Sequence, residues 1–131
     1  MTKIVFHNLR MVLQSNDNDF SLDLCVSSGV IDFSITISLL GKDYAVIEKD
    51  EERAAFLQAA LLRPFQLKDT WLTESEQRHY LDIILHAPKT EVELFLTEKD
   101  HGRANGAISN AMNITSGRDQ SEMRSGSWFR L

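Results

Sequence analysis

Cysteine is almost missing from this chain of 131 residues. A single Cys25 excludes an intramolecular disulfide and fits a reducing compartment. Long apolar runs are missing too, and without one no helix can cross a bilayer. The amino terminus carries no positively charged segment leading into an apolar stretch, so no secretory signal is expected. The natural expectation is a cytoplasmic protein, for which the sequon Asn113-Ile114-Thr115 has no chemical consequence.

Catalytic signatures are also missing. No Gly-x-Ser-x-Gly elbow is present, so a serine hydrolase is not supported. The stretch Gly102-Arg103-Ala104-Asn105-Gly106 lacks the Lys-Ser/Thr of a phosphate loop and the glycine pattern of a dinucleotide fold. No cofactor is expected.

Positive charge is scarce in most of the chain. Residues 1–100 carry 10 Lys/Arg against 17 Asp/Glu, a net −7, whereas residues 101–131 carry four arginines against two acids, a net +2. An acidic body repels phosphate, which argues against nucleic acid and against an anionic membrane surface. The four tail arginines are too few and too spread to reverse that argument.

What is present is enough for one core, because 43% of the residues are apolar and a chain of this length buries roughly two thirds of its unfolded surface. The pattern predicts an α+β domain with an antiparallel sheet. Residues 3–14 read as one strand, followed by a turn at Ser15-Asn16-Asp17-Asn18-Asp19. Phe20, Leu22, Leu24 and Val26 alternate with polar residues, as do Ile31, Phe33, Ile35, Ile37 and Leu39, and the two runs should form a hairpin. A tight turn at Gly41-Lys42 would lead to a fourth, shorter strand at 44–47, completing an N-terminal four-strand meander.

The period then changes. Residues 51–62 read as a core helix ended by Pro64, and the capping box Thr73-Glu74-Ser75-Glu76 opens a second helix that runs to about Ala87 before Pro88. Val92, Leu94 and Leu96 alternate with Glu91, Glu93 and Phe95, which predicts a later strand with an acidic outer face. Residues 1–100 thus form an acidic core. The Gly/Ser/Asn/Arg-rich segment 101–131 either belongs to the same domain or is partly flexible; residues 107–114 are a candidate short helix within it. Its end, Trp128-Phe129-Arg130-Leu131, is too apolar to float free, so it docks or meets another chain.

Three constellations invite a functional reading. His79, Asp82 and His86 share one stripe of the second helix and are weak candidates for zinc or nickel, although any solvated helix face would look the same. Cys25 could act as a nucleophile if His7 or another histidine reached it, but a lone strand cysteine is more often a packing residue. Asp17, Asp19, Glu91, Glu93, Glu98 and Asp100 could meet a basic protein partner, with Trp71, Tyr80 and Trp128 as anchors.

The last constellation gives the leading expectation, a small acidic binding or inhibitor protein rather than an enzyme. Immunity proteins that neutralise basic nuclease toxins are the nearest analogy of class, on general physical grounds alone. The alternatives are an enzyme or ligand-binding domain with a site assembled from distant residues, and a structural or assembly subunit that forms a homo-oligomer.

Overall fold

The computed structural model describes residues 2–102 and 105–130. Four strands, β1 (Thr2–Phe6), β2 (Met11–Asn16), β3 (Asp19–Ser28) and β4 (Ile31–Leu39), form an antiparallel sheet in the order β1-β2-β3-β4. Six helices follow: α1 (Gly41–Lys49), α2 (Glu51–Gln66), α3 (Glu74–His86), α4 (Lys89–His101), α5 (Ala107–Ser116) and α6 (Gln120–Arg124). The fold is α+β, and the sheet is open rather than closed into a barrel.

Alternation fixes which face of the sheet is buried. Met11 and Leu13 pair with Leu24 and Leu22, and these pair in turn with Ile35 and Ile37, so one apolar layer runs across three strands. All three strand connections use left-handed backbone: Arg10 lies between β1 and β2 with φ 51°, Asp17 turns β2 into β3 with φ 57°, which a short polar side chain tolerates, and Gly29 turns β3 into β4 with φ 66°.

The meander has four strands as expected, and two of them, β3 and β4, come from the expected segments, but the other two do not. Residues 3–14 make two strands, because a 3-10 turn at His7–Leu9 and left-handed Arg10 reverse the chain in the middle. Residues 44–47 belong to α1. Their aromatic and β-branched composition favours a strand, yet the Asp43 carboxylate accepts the Leu40 N–H at 2.8 Å and starts a helix, burying Ile47 one turn later. Gly41 is the first residue of that helix rather than a hairpin turn.

The expected later strand is also helical. In α4 the buried residues are Val92, Leu96 and Asp100, spaced by four, while Leu94 stays 72% exposed. Glu, Leu, Lys and Phe after Pro88 satisfy a helix as readily as alternation satisfies a strand, and only packing decides. Glu91 and Glu93 therefore do not share a face.

Helix α2 is the centre of the molecule. Every residue from Ala54 to Leu61 is buried, and the helix touches β3 as well as α1, α3, α4 and α5. Asp50 separates it from α1 and caps it, accepting the Arg53 N–H at 3.0 Å. Pro64 does not stop it; the helix runs through to Gln66, because a proline in the last turn forfeits only one intrahelical bond. The segment after residue 101 supplies Ile108, Met112, Met123 and Trp128 to the same apolar cluster as the sheet and α2. Among the described residues no helix is long and apolar enough to cross a membrane.

Candidate functional site

Three hydrogen-bonded networks are each built on a buried charged side chain, Asp43, Asp100 or Arg118. In the first, Asp43 is fully buried and receives two hydrogen bonds of 2.7 Å from Arg78 and one of 2.7 Å from His86 Nε2. Burial alone would raise the Asp43 pKa, but the bonds from Arg78, His86 and the Leu40 N–H, together with the Arg78 charge, lower it to about 2. Asp82 completes the group by accepting from Arg78 Nη2 at 2.8 Å.

The histidine stripe of α3 is thereby dispersed. His86 turns to Asp43, Asp82 to Arg78, and His79 packs edge-on against Phe95. Among the described residues no group of three or more His, Cys, Asp or Glu side chains could hold a metal ion.

Asp100 anchors the second network. It is fully buried at the end of α4, where it accepts from the Ser109 N–H at 2.9 Å and the Ser109 hydroxyl at 2.8 Å. A carboxylate on those free donors suits the positive end of the α5 dipole, and Arg124 balances the charge at 3.2 Å. Arg103 and Ala104, which precede α5 in the sequence, lie outside the described residues.

The third network ties down the chain end. Trp128 is wholly buried edge-on against Phe56, and its indole N–H donates to the Thr97 hydroxyl at 2.9 Å. Glu93 accepts the backbone N–H groups of Trp128 and Phe129 at 2.8 and 3.1 Å, Glu52 accepts that of Arg130 at 2.8 Å, and Arg118 donates to the Trp128 carbonyl. Burial lowers the Arg118 pKa, with the Arg130 charge acting in the same direction.

Of the six candidate acids, then, Glu93 and Asp100 are spent on internal bonds. Asp17 and Asp19 sit exposed at the β2–β3 turn, while Glu91 and Glu98 lie seven residues apart on the outer stripe of α4, with exposed Leu94 between them. None of these four is in an ion pair among the described residues.

Two of the three aromatic anchors converge with one of those acids. A cleft of about 650 Å³ opens between the carboxyl end of α2, the start of α3 and the end of α4, and Trp71, Tyr80 and Glu98 all line it. Trp71 is 42% exposed and held in place: its indole N–H donates to the Phe65 carbonyl at 3.0 Å, and its ring stacks on Phe33. Pro64, Leu67, Leu72 and Ile108 make the walls apolar, and the charged lining consists of Asp69, Glu76 and Glu98 against Arg63 and Lys99. The Lys99 ammonium lies 5.7 Å from the centre of the Tyr80 ring, so that aromatic face already receives a cation. Burial and the Glu76 charge raise the Tyr80 pKa, which keeps its hydroxyl a donor.

Cys25 lies elsewhere, half-buried on the sheet face opposite the helices, where Arg10 Nη2 donates to its sulfur at 3.1 Å. No hydrogen bond joins it to His7 or to any other histidine among the described residues. The sequence singles out Trp71, Tyr80 and Glu98 separately; that they share one cleft depends on α4, the helix whose alternation reads as a strand. Comparison with known proteins by family, by sequence and by fold finds no matching family model, no matching characterised protein and no matching solved structure.

Proposed function

We propose that the protein is a binding protein and that the cleft holding Trp71, Tyr80 and Glu98 receives a basic segment of a partner protein. The observation that supports this reading is the convergence of those three residues on one concave surface of mixed apolar and charged lining. A rigid, half-exposed indole is the kind of anchor that carries binding energy, and the exposed Trp71 ring offers cation–π contact to an arginine or lysine. Carboxylates outnumber cations in the lining, and Glu91 extends the acidic stripe beyond Glu98. The formal net charge of −5 adds long-range steering toward a basic partner. A nuclease-type toxin, whose substrate cleft is basic, is one partner of that chemistry, and neutralising it would be an inhibitory role.

Affinity capture from the native cytosol at low and at high salt tests the proposal. A basic protein should be retained by the wild type at low salt, weakened at high salt, and lost by both Trp71→Ala and Glu98→Lys. A partner indifferent to salt and to both substitutions, or no partner at all, would refute it.

A further inference from the structure

The two edges of the sheet are unlike. β1 is five residues long and carries Lys3, a device that discourages strand addition. β4 is nine residues long and has no lysine and no proline, and Asp32 is its one charge. It pairs with β3 along its whole length. Among the described residues its other side makes no backbone hydrogen bond. Apolar side chains cluster along that open edge: Val30 is fully exposed at one end, Leu40 is 51% exposed at the other, and Ile31 is 63% exposed. Phe33 and Ile35 are only half-buried, because the helical layer does not cover the edge completely.

The strand is also complementary to itself. Ile35 is its midpoint, so an antiparallel pair about a two-fold axis at Ile35 uses all nine residues of both copies. In that register Phe33 faces Ile37 of the other copy, Ile31 faces Leu39, and exposed Val30 meets exposed Leu40. On the opposite face Ser34 meets Thr36 and Asp32 meets Ser38, so no like charges oppose. Asp32 is moreover held within its own chain by the Ser27 hydroxyl at 2.6 Å and by Arg10 at 3.5 Å. Shifting the register leaves strand ends unpaired.

We propose that the protein associates with a second copy of itself through β4, joining two four-stranded sheets into one continuous sheet about a two-fold axis at Ile35. This surface is formed by the strand edge and does not depend on the cleft.

Sedimentation equilibrium from micromolar to submillimolar concentration provides the test. The wild type should pass from one chain of 14.9 kDa to twice that mass. Ser34 and Thr36 are exposed, so both accept charge without burying it. S34K/T36K sets lysine against lysine at two symmetric pairs and should weaken association by about tenfold or more. S34E/T36K sets glutamate against lysine in the same pairs, with the lysine rather than an acid opposite Asp23 of its own chain, and should restore it. Hydrogen exchange of the β4 amides should slow with concentration in the wild type, a readout that needs no variant. A wild type that stays monomeric, or a dimer that S34K/T36K leaves intact, overturns the proposal. So does a folded S34E/T36K that fails to associate, or β4 exchange indifferent to concentration, either of which would leave the edge to another protein's strand.

Discussion

Arg78 and Asp43, 35 positions apart in the chain, meet through two parallel hydrogen bonds of 2.7 Å, and the carboxylate that receives them is fully buried. The same carboxylate caps α1 through the Leu40 N–H and holds His86, so one side chain joins the start of α1 to the second turn and the last residue of α3. Removing it leaves Arg78 and His86 facing an uncompensated site. Asp43→Ala should cost about 3 kcal/mol in a denaturant unfolding experiment, since removing one partner strands the other. Asp82→Ala, which removes only the exposed acceptor of Arg78, should cost less than about 1 kcal/mol.

The same carboxylate gives the protein an acid limit. Its pKa in the folded state is about 2, against an ordinary 3.8. A folded value below the unfolded one means that the stabilisation is complete above the unfolded pKa and is lost as pH falls through the folded one. Between about pH 5 and pH 1 the wild type should therefore lose roughly 2.5 kcal/mol through this group alone. Asp43→Asn should be less stable at neutral pH and should lack that component of the acid dependence. Thermal unfolding of both proteins across this range provides the comparison.

Leu94 and Leu96 separate the two readings of residues 91–97. On a strand they would share a face and be equally costly to replace; on α4 Leu96 is fully buried and Leu94 is 72% exposed. Leu94→Lys should change stability by no more than about 0.5 kcal/mol, whereas Leu96→Ala should cost about 2–5 kcal/mol.

That segment also marks the limit of what the sequence discloses. The strands at Phe20–Val26 and Ile31–Leu39 were legible because each buries one face, and period-two alternation is the direct record of that burial. Helix α3 was legible from its capping box, which the structure forms as the Thr73 and Glu76 side chains bond the opposite backbone N–H groups. In α1 and α4 the alternation is accidental, so tertiary contacts decide: Asp43 with Arg78 in one, the docking of Val92 and Leu96 in the other. Trp128 showed its apolar character but not its destination. Its burial depends on Thr97 and Glu93, whose positions follow from α4 being a helix.

The chain end should behave as part of the core. Trp128→Ala should destabilise the protein by about 3–5 kcal/mol, the usual cost of deleting a buried indole. Glu93→Gln keeps the side chain's size but weakens two charge-assisted hydrogen bonds from the backbone of residues 128 and 129, and should cost about 1–2 kcal/mol. Limited proteolysis should cut Glu93→Gln near its carboxyl terminus faster than the wild type while leaving the sheet intact.

The intrinsic fluorescence of Trp71 reports directly on the proposed cleft, because the other indole, Trp128, is sealed in the core. Titration with a peptide that alternates arginine and leucine should shift the emission to the blue at low salt as the 42% exposed ring is covered. The shift should weaken as salt is raised, and it should be absent from Trp71→Phe and reduced in Glu98→Lys. Emission that does not move at saturating peptide, or a shift that salt and Glu98→Lys leave unchanged, would contradict a cleft built to receive a basic segment.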